Sequence, residues 1–134
     1  MAAGAADLLK RVPIFSDLDR KELDRIAASM KQRTFNAGDT VTSEGSSGVG
    51  FFVIEDGQAT VTVGGDERRK LGPGDYFGEV ALLNESARTA TIIADTDLRC
   101  YGLTSWEFRP LVETHDSIAW KLLQAMSKTY QSPA

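Results

Sequence analysis

The chain is poor in the residues that build reactive or cross-linked sites. It holds one cysteine, Cys100, and one histidine, His115. A single cysteine forms no internal disulfide and points to a reducing compartment. Within an apolar strand pattern, Cys100 reads as a small buried hydrophobe, not a reactive thiol. A single imidazole leaves nothing from which to build a multi-histidine metal centre. His115, at a helix boundary, reads as a solvent-facing helix-end residue. No apolar run approaches the length of a membrane span. "MAAGAADLLKR" has neither the basic start nor the apolar length of a signal peptide, so the expected location is the cytoplasm. With 15 basic and 19 acidic residues, the net charge of -4 argues against a nucleic acid or an anionic membrane as partner. No linker, low-complexity tract or repeat divides the 134 residues, so one domain with its own core is expected.

What is present divides by period. Near the start, Asp19 and Glu22 form a capping box, and Leu18 with Leu23 fits a hydrophobic staple. Leu23, Ile26, Ala27 and Met30 then recur at helical spacing, which predicts a helix of about three turns. "LTSWEF" repeats the device with Thr104 as cap, Glu107 at its third position, and Leu103 with Phe108 as the staple. A last helix starts around Asp116, with Ile118, Leu122, Met126 and Tyr130 as its apolar stripe and Leu123 beside it. Trp106 and Trp120, in these helices, are expected in the core.

Between residues 31 and 103 the period is two. "QATVTV" sets Ala59, Val61 and Val63 on one face and Thr60 and Thr62 on the other, and "FFVI" fits a strand buried on both sides. "RTATII" and "LRCYGL" are further strands, separated by the turn "ADTD". Turn sequences such as "NAGD", "EDG", "GGDE" and "GPGD" recur every eight to ten residues. The fold class is mainly β with flanking helices: an antiparallel β-roll, or jelly-roll barrel, between N-terminal and C-terminal helices.

"GPGDYFGE" is not a dinucleotide loop, because the glycine spacing is wrong and no long helix follows it. Arg68, Arg69 and Lys70 read as a solvated hairpin edge. The stretch with chemistry in it is "FGEVALLNESART". If "EVALL" is one helical turn entered from "YFG", its first N–H groups lack intrahelical partners and suit a phosphate. Gly78 lets a ligand approach the main chain, and Arg88 supplies a charge-assisted partner to the same anion. Glu79 repels a phosphate and so faces hydroxyls such as a ribose 2′-OH. The plainer reading is a Glu79–Arg88 pair across the surface, worth little. It leaves the glycine and the apolar turn without a reason.

The stretch resembles the phosphate-binding cassette of the cyclic nucleotide-binding domains, F-G-E-x-A-L-(five residues)-R-x-A. It matches at Phe77, Gly78, Glu79, Ala81, Leu82, Arg88 and Ala90. "VPIFSDL", "FNAGDTV", "EGSSGVGFFVIEDGQATV" and "LGPGDYFGE" resemble family segments in the expected order, so the likeness covers nearly the whole chain. It implies one domain over 1–134: N-terminal helices at 1–30, a β-roll at 31–103 with the cassette at 77–90, and C-terminal helices at 104–134. It also implies a ligand, cAMP with cGMP as the alternative, held inside the roll at Phe77, Gly78, Glu79, Val80, Ala81, Arg88 and Thr89. In that scheme Glu79 takes the ribose hydroxyl. The N–H groups of Gly78, Val80 and Ala81, with Arg88, take the cyclic phosphate, and Thr89 lies beside phosphate and base.

Met126 and Tyr130 are the expected lid over the base. Many members carry glycine and proline where this chain has Glu85 and Ala87, which bears on affinity. The module implied is regulatory and non-catalytic, without metal or cofactor, and acts on an effector protein that the sequence does not identify. A homodimer through the C-terminal helix is a further expectation. The alternative is a degenerate fold of this family acting as a scaffold or dimerisation domain. Members usually carry an output domain, and a stand-alone sensor or an excised piece both fit a sequence ending at Ala134.

Overall fold

The computed structural model describes residues 4–43, 45, 50–83 and 89–129. Helices α1 (Ala5–Leu9) and α2 (Arg20–Ala27) flank a one-turn 3-10 helix, Pro13–Phe15. Eight strands follow: β1 (Lys31–Phe35), β2 (Thr40–Thr42), β3 (Gly50–Asp56), β4 (Ala59–Val63), β5 (Asp66–Leu71), β6 (Tyr76–Phe77), β7 (Thr91–Ala94) and β8 (Leu98–Thr104). A second 3-10 turn, Glu79–Leu82, lies between β6 and β7, and helices α3 (Ser105–Thr114) and α4 (Asp116–Thr129) close the fold.

The strands form two antiparallel four-stranded sheets, ordered β1-β8-β3-β6 and β2-β7-β4-β5. The chain changes sheet at most turns, which makes a roll and not a meander. The β4–β5 connection stays within one sheet, and its tight turn needs Gly64 and Gly65, at φ 61° and 85°. "ADTD" does separate β7 from β8, but these belong to different sheets and do not pair.

Strand alternation builds two cores. On β3, Phe51 and Val53 are fully buried beneath the helices, while Phe52 and Ile54 face the roll interior. Leu98 and Cys100 of β8 point into the roll, and Leu103 points to the helices. "FFVI" is thus buried on both sides because one layer covers each face. Phe15 locks the helical layer edge-on to Phe51 and Phe108, with centroids 5.7 and 6.1 Å away, contacts worth about 1 kcal/mol each.

The capping box on α2 forms: the Asp19 side chain accepts from the Glu22 N–H at 2.8 Å, and Glu22 Oε1 accepts from the Asp19 N–H at 2.9 Å. Leu18 and Leu23 are buried, as a staple requires. The helix is shorter than its apolar pattern suggests, because Ser29 and Met30 bond back to Ile26 and Ala27 in a tighter turn before β1 begins. At α3, Glu107 accepts from both the N–H and the hydroxyl of Thr104, at 3.2 and 2.7 Å.

Three expectations about the helices fail. Trp106 and Trp120 are 63% and 62% exposed, since the core-facing positions of α3 and α4 are taken by Phe108, Ile118 and Leu122. The buried stripe of α4 is Ile118, Leu122 and Ala125; Met126 is half-buried, Leu123 exposed, and Tyr130 lies outside the described residues. Spacing of four then three keeps this face against the Pro13–Phe15 turn and α3, where a strict spacing of four would drift around the helix. His115 ends α3 half-buried, not free in solvent. Its Nε2 lies 2.6 Å from Arg25 Nη1 and its Nδ1 lies 2.9 Å from the Leu111 carbonyl. Arginine can only donate, so Nε2 accepts and the ring proton sits on Nδ1.

Candidate ligand site

The cassette starts at the edge of the first sheet. Phe77 pairs with Phe52 in register and stacks on it with centroids 5.3 Å apart, which fixes where β6 ends. The next residue, Gly78, has φ +81°, a backbone conformation that residues with a Cβ rarely adopt. From it the chain enters the single 3-10 turn Glu79–Leu82, the short turn that the sequence pattern required. Such a turn leaves its first N–H groups, those of Glu79, Val80 and Ala81, without intrahelical acceptors. Glu79 is half-buried at its start.

Leu82 anchors the turn. It is 5% exposed and belongs to the helical core with Leu103 and Phe108. Leu82 therefore ties the turn to the helices, a role that the linear motif does not reveal. An open groove of about 620 Å³ lies on the same side, lined by Leu82, exposed Leu83, Trp106 and Val112. Tyr76, just before Phe77, packs on Phe51 with centroids 6.3 Å apart. Burial, then the Glu79 carboxylate, push its hydroxyl above the ordinary tyrosine value, while Arg69 pulls it down.

Phe77, Gly78, Glu79 and the backbone of Val80 and Ala81 thus form one continuous entrance to the turn. Thr89 is exposed, just before β7. Arg88 lies outside the described residues, as do Glu85, Ala87 and Tyr130. Among the described residues no cluster of histidine, cysteine and carboxylate side chains could hold a metal ion. Nor is any of their helices long and apolar enough to cross a membrane.

The helix expected to answer the site is held by a buried carboxylate. Besides capping α2, Glu22 accepts from Ser117 Oγ and Lys121 Nζ of α4, both at 2.6 Å, and is 7% exposed. Burial alone would raise its pKa. The hydrogen bonds from Lys121 and Ser117 and from the Asp19 N–H outweigh that and bring it down to about 2. Lys128 adds a bond to Asp17 at 2.9 Å. Sequence spacing exposed the cap but not this second use of Glu22, because its partners lie nearly a hundred residues away.

Comparison with known proteins agrees with this geometry. Residues 32–115 match the family described as cyclic nucleotide-binding domain. A cAMP-dependent protein kinase regulatory subunit from Yarrowia lipolytica is 41% identical over 106 residues, which is 78% of this chain and 28% of that protein. The chain thus spans less than a third of that relative's length. The N-terminal domain of a transcriptional regulator from Streptomyces coelicolor A3(2) superposes with a TM-score of 0.84 at 30% identity, covering 92% of this chain and 91% of that one. The regulatory domain of Toxoplasma gondii PKA, solved with cAMP, gives 0.73 at 29% identity over 92% of this chain and 49% of that one. Cassette, roll and relatives agree, and the chain belongs to the cyclic nucleotide-binding domain family.

Proposed function

We propose that the protein is a non-catalytic sensor of a 3′,5′-cyclic nucleotide, cAMP foremost, acting in the cytoplasm on an effector protein. The observation that carries this reading is Gly78 at φ +81° opening a one-turn helix whose Leu82 is seated in the helical core. Such a turn offers N–H groups to an anion and couples its position to the helices. The N–H groups of Gly78, Val80 and Ala81, with the Arg88 guanidinium, take the cyclic phosphate; Glu79 accepts from the ribose 2′-hydroxyl, and Thr89 stands beside phosphate and base. Met126 and Tyr130 of the C-terminal helix cover the base, and the ligand favours the state in which that helix is closed.

Calorimetric titration with cAMP and cGMP, alongside thermal unfolding, tests the reading. A ligand at a hundred times its Kd stabilises the fold by about 2.7 kcal/mol. No shift with either nucleotide at millimolar concentration rejects it. Glu79→Ala weakens cAMP binding yet leaves 2′-deoxy-cAMP nearly unaffected, and equal losses would remove Glu79 from the ribose.

One observation favours a second use of the C-terminal helix. Trp120 and Leu123 stand 62% and 58% exposed on α4, an apolar surface suited to a homodimer. If neither nucleotide binds, a scaffold that pairs through this helix is the reading that remains, and sedimentation tests it.

A further inference from the structure

Given that ligand reading, we infer that the Thr42 hydroxyl is a further contact of the site, one that reads a polar atom on the six-membered ring of the base. Thr42 ends β2, and strict alternation would send it to the opposite face from Val41, which packs into the roll interior. The pairing with β7 is irregular there. Thr40 lies opposite Ile93 and Thr42 opposite Ile92, so two steps along β2 answer one along β7. Such a bulge re-aims a side chain that alternation would point outward. Ile92 is buried in the roll, and on its other side it pairs with Val61, which packs there as well. Thr42 therefore joins these two in one inward row.

The hydroxyl brought inside has nothing to bond. Among the described residues, Thr42 Oγ1 is the one buried side-chain oxygen or nitrogen without a hydrogen-bond partner. On the outward face of the same sheet the fold does the opposite: Thr60 Oγ1 donates to Asp95 at 2.6 Å and accepts from Lys70 at 2.8 Å. An unmet hydroxyl in an apolar interior is destabilising, and a valine of the same shape carries no such penalty. A partner that arrives with the ligand accounts for it. Position then selects the part of the ligand. Ile92 lies three residues beyond Thr89, about 10 Å at most along the chain, so Thr42 stands one strand over from the end of the cassette. The phosphate there is assigned to backbone N–H groups and Arg88, and the ribose hydroxyl to Glu79. The base alone keeps polar edge atoms without a protein partner, while Ile92 and Val61 offer it only aliphatic carbon. A hydroxyl suits that edge, because by rotating it donates to a ring nitrogen or accepts from an exocyclic amine.

The test is calorimetry on Thr42→Val and Thr42→Ser with cAMP, cGMP and benzimidazole riboside 3′,5′-cyclic phosphate, whose six-membered ring carries no polar atom. Thr42→Val keeps the shape and removes the hydroxyl. It lowers affinity for the purine nucleotide about fivefold and leaves the benzimidazole nucleotide unaffected. The ligand-free melting temperature holds or rises, because the group removed had no partner. Thr42→Ser, which keeps the hydroxyl, retains the purine affinity. Unchanged purine affinity in Thr42→Val overturns the inference. So does a fall in its ligand-free melting temperature, which shows the hydroxyl already satisfied inside the folded protein. Equal losses for purine and benzimidazole nucleotides also overturn it, placing the contact on sugar or phosphate. Failure of the wild-type protein to bind either cAMP or cGMP sinks the site reading itself, whereas normal wild-type binding with an indifferent Thr42→Val sinks only this inference.

Discussion

Glu22→Gln probes the joint between the two helical ends of the chain. The change preserves side-chain shape and an acceptor for the Asp19 N–H but removes the charge that Lys121 and Ser117 solvate. In the folded protein the Glu22 pKa falls from the ordinary 4.5 to about 2. At roughly 1.4 kcal/mol per pKa unit, linkage makes the ionised form worth up to about 3 kcal/mol of stability at neutral pH. Lys121 remains 30% exposed, so water shares the interaction and the expected loss is about 2–3 kcal/mol. The sign follows from the direction of the shift. A folded pKa below the unfolded one stabilises fully above about pH 4.5, and that contribution disappears as the pH falls towards 2. Urea denaturation of both proteins at pH 7 and near pH 2.5 reads the effect, with the gap large at the first and reduced to about a quarter of that at the second. Equal midpoints at pH 7, or a gap that acid leaves unchanged, would refute the assignment of Glu22 as the charged anchor of α4.

Three other expectations follow from burial and backbone geometry. Gly78→Ala strains a backbone at φ +81°, costing about 1–2 kcal/mol in thermal unfolding, and weakens nucleotide binding more than the stability loss alone explains. Burial pushes the Cys100 thiol up to about 12, so a disulfide reagent at pH 8 labels it only after denaturant is added; reaction in native buffer at the rate of a free thiol would contradict the packed roll. With both tryptophans more than half exposed, acrylamide quenches most of the native fluorescence, and a blue-shifted, protected emission would place them back in the core.

Local physics was legible in the sequence. The capping residues at Asp19 and Thr104, the glycine turns, the two-faced burial of Phe51 to Ile54 and the one-turn helix after Gly78 all depend on neighbours within a few residues. Their signatures are short and fixed in spacing. Periodicity could not say what covers a face. Trp106 and Trp120 look like core residues by type, and only the placement of Phe108, Ile118 and Leu122 against the Pro13–Phe15 turn leaves both indoles in solvent. Nor could it show that Leu82 seats the cassette in the helical core, or that Glu22 caps one helix while holding another. The basic run Arg68–Lys70 is a further case: it is uniform in sequence, yet pairing with β4 sets Arg69 opposite Val61 and Lys70 opposite Thr60, to whose hydroxyl Lys70 donates. A side chain's spacing determines its local conformation, while its partners come from strand register and helix docking, which join residues far apart in the chain.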